Sequence, residues 1–236
     1  MLLAVPAAPN QASADAETVE DAQILEEVIV WGRALDQNGT AVSASSGLVG
    51  YADFEFRPLQ RVGELVEVVP GMVATQHSGE GKANQYYLRG MNLDHGTDFS
   101  AYFEGMPTNL RAHAHGQGYL DMNFLIPEVV SSVRYAKGPY SADRGDFSSA
   151  GTGSFEIYDR LPEHFVEMTA GEDAYRRVVA AGSVDMAGGH LLAAVEAVDD
   201  DGPWDLPADL RKRNLLLKHR NEGAVRHQPG VECLRQ

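Results

Sequence analysis

The sequence predicts an α+β domain followed by an antiparallel meander of strands. Three observations carry that expectation. Between residues 27 and 160, short β-prone runs alternate with one helical pattern and with Gly- and Pro-rich loops, the texture of mixed elements packed around one core. From 162 to 220, apolar runs are separated by "GED" and "AGG", which are hairpin-turn compositions with no helical period between them. The 236 residues are 44% hydrophobic, enough to build a core for one or two domains.

Charge and cysteine usage narrow the function classes. Nineteen Lys and Arg against 34 Asp and Glu give a net charge of -15, so the chain repels nucleic acid and anionic lipid headgroups. The single cysteine, Cys233, excludes a disulfide framework and a Cys-ligated zinc site. No run of about 18 apolar residues is present, which argues against a membrane-spanning helix but leaves membrane strands open.

Residues 1–14, "MLLAVPAAPNQASA", read as a signal-peptide remnant ending in Ala12-Ser13-Ala14 but lacking a basic start, or as an Ala/Pro-rich tail. Residues 15–26 form an acidic, flexible lead-in: six acidic residues and no basic one fall between Asp15 and Glu27. The run Val28-Ile29-Val30-Trp31, ended by Gly32, is β-prone. In "RVGELVEVVPGM", Val62, Leu65, Val66 and Val69 recur at helical spacing and Pro70-Gly71 stops the pattern, predicting a short amphipathic helix. Strands are expected at 86–89 and 99–104, each ending in a charge and a glycine: Arg89-Gly90 and Glu104-Gly105. "IPEVVSSVRYAKGP" predicts a helical turn running into a strand closed at Gly138-Pro139. A last short strand is expected at 154–158, and the meander follows. Beyond Arg220 no element is legible.

These pieces in this order resemble the plug domain of TonB-dependent outer-membrane receptors. The box Glu27 to Gly32, the helix ending Val69-Pro70-Gly71-Met72, the strand Leu88-Arg89-Gly90, the strand Phe103-Glu104-Gly105-Met106-Pro107 and the stretch Val130 to Pro139 are each similar to a motif of that family. Glu104 stands where that family commonly has aspartate, and "GTGSFEI" replaces a G-x-V-N-I ending. The resemblance implies a plug over 27–161, the first strands of an antiparallel transmembrane barrel over 162–220, and an unassigned tail over 221–236. It also implies residence in the outer membrane of a Gram-negative bacterium and energy-coupled import of a scarce solute such as a metal chelate or siderophore. A barrel that a plug can fill needs about 22 strands. Four are legible here, so the barrel is expected to be incomplete and the chain to be a piece of a receptor, with a frameshift or premature stop near Arg220 accounting for the patternless tail.

Site expectations follow. Glu27, Val28, Ile29, Val30 and Trp31 could add as a strand to a sheet edge of a TonB-type energy-transducing protein, or form an internal strand of the plug. Arg89 and Glu104 are expected to pair structurally, inside the plug or across to the barrel wall. Gly90, Gly105, Gly138 and Pro139 are structural. If strands 86–89 and 99–104 are antiparallel neighbours, loops 77–85 and 107–121 share one end of the domain and "NLDHGTD" lies at the other. By the resemblance, the shared end faces outside and meets a small solute through His77, His113, His115, Gln117 and Tyr119. In "RAHAHGQGY" an extended chain would put the last four on one side, and His113 and His115 are candidate metal ligands because neutral imidazole suits zinc, copper, iron and nickel. No resident cofactor is implied, the metal or chelate being transported substrate. The competing reading of H-x-H as the opening of a metal-dependent hydrolase barrel requires alternating strands and helices, and the hairpins after 162 argue against it. A barrel-less interaction or signalling plug is the remaining alternative.

Overall fold

The computed structural model describes residues 43–59, 61–76, 81–186 and 188–221. The Glu27–Trp31 box, His77 and the tail beyond 221 lie outside the described residues. In chain order the strands are β1 (Ser46–Gly50), β2 (Met72–Thr75), β3 (Gln85–Leu88), β4 (Met91–Asn92), β5 (Phe99–Phe103), β6 (Met106–Pro107), β7 (Val130–Lys137), β8 (Gly151–Ile157), β9 (Phe165–Ala170), β10 (Arg176–Met186), β11 (Gly189–Asp200) and β12 (Leu210–Asn221). They form three sheets, with orders β1-β7-β8-β5-β6, β2-β3-β4 and β12-β11-β10-β9.

The charge-glycine pairs are hairpin turns. Arg89 and Gly90 have φ of 52° and 81°, Glu104 and Gly105 of 49° and 79°. Leu88 pairs with Met91 and Phe103 with Met106 across them. Positive φ at both central residues is the turn whose twist matches paired strands, and it favours glycine at the second position.

Strands β3 and β5 are not neighbours, contrary to the expectation. The Arg89-Gly90 turn folds β3 directly back on β4, so β3 spends its hydrogen bonds on β2 and β4. The chain then crosses to the other sheet, where β5 pairs β6 and lies parallel to β8. Short loops close at little entropic cost, so each hairpin takes its own local partner first.

The helix expected before Pro70 forms, but as a 3₁₀ helix over Val62–Val68. Its β-branched valines and Gly63 are poor α-formers, and its Arg61 N-cap offers no side-chain hydrogen bond. It still presents an apolar face: Leu65, Val66 and Val69 are fully buried with Tyr86, Leu93, Phe99, Leu120, Ile126 and Phe155. The turn before β7 is likewise 3₁₀, at Pro127–Val129.

The meander is observed as one antiparallel sheet. Its side chains alternate. Val179, Ala181, Leu192 and Ala194 join the same core as the plug-like sheets, while Val166, Met168, Val178, Val195, Leu215 and Leu217 point outward and are exposed. The inner face mixes its apolar residues with buried Arg177, Ser183 and Glu196, whereas a largely apolar outer face is the arrangement of a membrane barrel wall. Among the described residues the sheet is open at β9 and β12. No described helix is long and apolar enough to cross a membrane.

Candidate ligand site

Four aromatic rings meet where loop 93–98 touches loop 107–121. His95 and His115 lie edge to face with centroids 4.4 Å apart, and His113 stacks on Tyr119 at 4.0 Å with an interplanar angle of 20°. Tyr119 also stands 5.6 Å from His95 and 5.9 Å from His115.

His113, His115 and Tyr119 therefore come together as expected, but not through an extended chain: residues 111–118 run through bends and turns. The turns bring His115 N–H onto His113 Nδ1 at 3.2 Å, so that nitrogen carries a lone pair. Gln117 contributes its backbone, its carbonyl accepting from Thr97 Oγ1 at 2.9 Å. Tyr119 Oη accepts from Ala83 N–H at 2.9 Å, so loop 81–84 does reach this end. Contrary to the expectation, "NLDHGTD" lies at this same end and supplies His95, because β3 pairs with β4 rather than β5 and β4 turns the chain back before the loop begins.

His95 is the buried member, 4% exposed. Its Nδ1 lies 3.0 Å from the carbonyls of both Ala83 and Asn84, so Nδ1 bears the proton and donates to them. The second nitrogen, Nε2, is turned toward Asp94 Oδ1 at 3.8 Å. The donor atoms of Asp94, His95 and His115 all lie within 4.8 Å of one another.

Asn109, which the sequence reading passed over, holds the two loops together. Its side-chain amide donates to the carbonyls of Gly96, Phe99 and Gly118, and its oxygen accepts from Ala101 N–H at 2.8 Å. Gly96 permits the approach: a Cβ there would sit 2.5 Å from Leu120 Cβ, and its φ is 109°. Beneath the site Tyr86 is fully buried and donates to Leu120 O at 3.2 Å. Burial, with the Asp121 charge adding, pushes its phenol far above the ordinary range, so Tyr86 acts as a hydrogen-bond donor only.

The expected Arg89–Glu104 pair is replaced by a contact to the four-stranded sheet, the second of the alternatives above. Glu104 accepts from Ile157 N–H at 2.7 Å and pairs with Lys218 of β12 at 2.9 Å, and Lys218 also meets Asp159 at 2.8 Å. Arg89 is exposed. Its backbone N–H donates to Gly71 O at 2.9 Å, tying the Pro70-Gly71 stop to the Arg89-Gly90 turn. Lys137 Nζ reaches Pro70 O at 3.4 Å; burial lowers its pKa, and the Arg89 charge adds to that. Gly138, with φ of 92°, donates to Ala150 O and closes β7 with Pro139 beside it.

Residues 36–152 match the family model described as the TonB-dependent Receptor Plug Domain. The chain carries the plug domain of the TonB-dependent receptors. Among solved structures, the plug and sheet resemble the siderophore receptor PirA from Acinetobacter baumannii (TM-score 0.51, 19% identity, 68% of this chain and 25% of that one). They also resemble the copper transporter OprC (TM-score 0.52, 19% identity, 67% and 24%) and P. aeruginosa FpvA bound to heterologous pyoverdines (TM-score 0.51, 20% identity, 67% and 20%). At these identities the likeness is one of fold. The chain spans about a quarter or less of the length of these receptors. Within it the plug carries the His–Tyr cluster, and β9–β12 are an open stretch of barrel wall.

Proposed function

We propose that this chain is the plug and first wall strands of an outer-membrane receptor that imports a small, metal-bearing solute with energy drawn from a TonB-type protein. The observation that carries the reading is the four-ring cluster of His95, His113, His115 and Tyr119 on the plug. Imidazoles and a phenol at one place suit a metal or its chelate better than an apolar solute. The fold is shared with a siderophore receptor and a copper transporter, which supports the same class of cargo. The apolar outer face of β9–β12 favours a membrane wall over a barrel-less signalling plug, since such a module has no use for an exposed apolar sheet.

Energy coupling would run through Glu27, Val28, Ile29, Val30 and Trp31, which add to the sheet edge of the transducer as an extra strand. The test is binding of the full chain, in detergent, to the C-terminal domain of a TonB protein by titration calorimetry. Binding by the wild type, lost in Val30→Pro because proline removes a ladder donor, is the expected result. Equal binding by both, or by neither, overturns the coupling.

A further inference from the structure

We propose that Asp94, His95 and His115 form a divalent transition-metal site on the plug, with His113 and Tyr119 positioning one of its ligands. This deepens the import reading only in naming the cargo's landing point; the site itself stands on its own geometry.

The argument starts from His95. A ligating histidine ordinarily donates its other ring N–H to a backbone carbonyl or carboxylate, which fixes the tautomer and aims the lone pair. His95 has that arrangement already: Nδ1 is held by the carbonyls of Ala83 and Asn84, each at 3.0 Å. Its ring is buried, so Nε2 cannot swing away, and it points at the Asp94 carboxylate 3.8 Å distant. A ring nitrogen and a carboxylate oxygen at this separation are two donors that a cation could bridge.

His115 supplies the third donor. Its ring meets His95 edge-on at 4.4 Å, and its backbone N–H is fastened to His113 Nδ1. His113 is itself stacked on Tyr119, whose hydroxyl takes Ala83 N–H. The same loop, 81–84, thus braces both sides of the cluster. His113 falls outside the group of close donors and serves as a prop, so the H-x-H pair contributes one ligand rather than two.

Distances fit with a small movement. Metal–nitrogen and metal–oxygen bonds of about 2.0–2.2 Å place neighbouring donors about 3.3–3.5 Å apart in a tetrahedron. The three donors here lie within 4.8 Å of one another. Asp94 and His115 are both exposed and free to rotate inward, while buried His95 stays as the anchor. Two imidazoles and one carboxylate suit Cu(II), Zn(II) and Ni(II), with Cu(II) the tightest. Three protein donors leave a fourth position, which a chelator's own atom can occupy.

The experiment is titration of the full chain with Cu(II), Zn(II) and Ni(II) as simple salts, in competition with a chromophoric chelator. We expect one tight equivalent in the order Cu(II) above Ni(II) and Zn(II), and a loss of about 10- to 100-fold in affinity for His115→Ala and for Asp94→Asn. Both substitutions are at exposed positions and leave the fold intact. His113→Ala should weaken binding less than His115→Ala does. Nitrogen superhyperfine splitting in the Cu(II) electron paramagnetic resonance spectrum should report two imidazoles in the wild type and one in His115→Ala. Equal affinity of the wild type and the Asp94→Asn/His115→Ala double variant overturns the site, as does a loss that follows His113 alone. Neither result bears on transducer binding by residues 27–31, so the failure of one reading is separable from the failure of the other.

Discussion

Arg177 of the wall grips Glu128 of the plug through a two-pronged contact, Nη1 to Oε1 at 2.6 Å and Nη2 to Oε2 at 2.9 Å. Glu128 stands on the 3₁₀ turn Pro127–Val129, and Arg177 also reaches Glu196 through Nε at 2.8 Å. Glu196 is fully buried and is completed by Lys212 at 3.1 Å and Asn214 at 2.9 Å. A forked guanidinium–carboxylate pair is among the stronger polar contacts, and its burial makes the loss of one partner costly.

Arg177→Met should therefore destabilise the union of plug and wall by about 3–5 kcal/mol, because it leaves the Glu196 carboxylate buried with fewer counter-charges. Urea unfolding of the full chain in mild detergent measures this, with Glu128→Gln and the double variant completing a cycle. A loss below about 1 kcal/mol would show that solvent reaches and screens the contact.

Arg89 sits in a left-handed conformation, φ 52°, that asparagine adopts more readily. Arg89→Asn should raise stability by about 0.5–1 kcal/mol, while Gly105→Val, at φ 79°, should lower it by about 1–2 kcal/mol. The Arg89 substitution also removes a charge that helps push down the Lys137 ammonium. Denaturation midpoints of the two variants moving in the same direction would refute the turn assignment.

Asn109 makes four hydrogen bonds that join loop 93–98 to loop 107–121 and to β5. Asn109→Ala should cost about 1–3 kcal/mol through the backbone groups it leaves unpaired. It should also weaken Cu(II) binding, although Asn109 is not a ligand, because His95 and His115 sit on the two loops it joins. A variant that melts earlier yet binds the metal as tightly as wild type would limit Asn109 to a structural part.

The turns, the strand run after Pro127, the alternation of the meander and the family itself were legible in the sequence. Each is written within a few neighbouring residues: a glycine after a charge, a Pro-Gly stop, a period of two. β12 shows the last most plainly, with Leu215 and Leu217 outward and Asn214 and Lys218 turned to the plug. Tertiary structure alone decided which strands are neighbours and which histidines meet. β5 takes as partner β8, with Phe99 opposite Gly151, and no local period announces a pairing between segments so far apart. The same holds for His95: "NLDHGTD" shows a histidine in a polar loop, but its burial and its two carbonyl partners come from Ala83 and Asn84 on the far side of β3. Local chemistry sets where the chain turns and which face is apolar, whereas the meeting of distant loops depends on how the whole core closes.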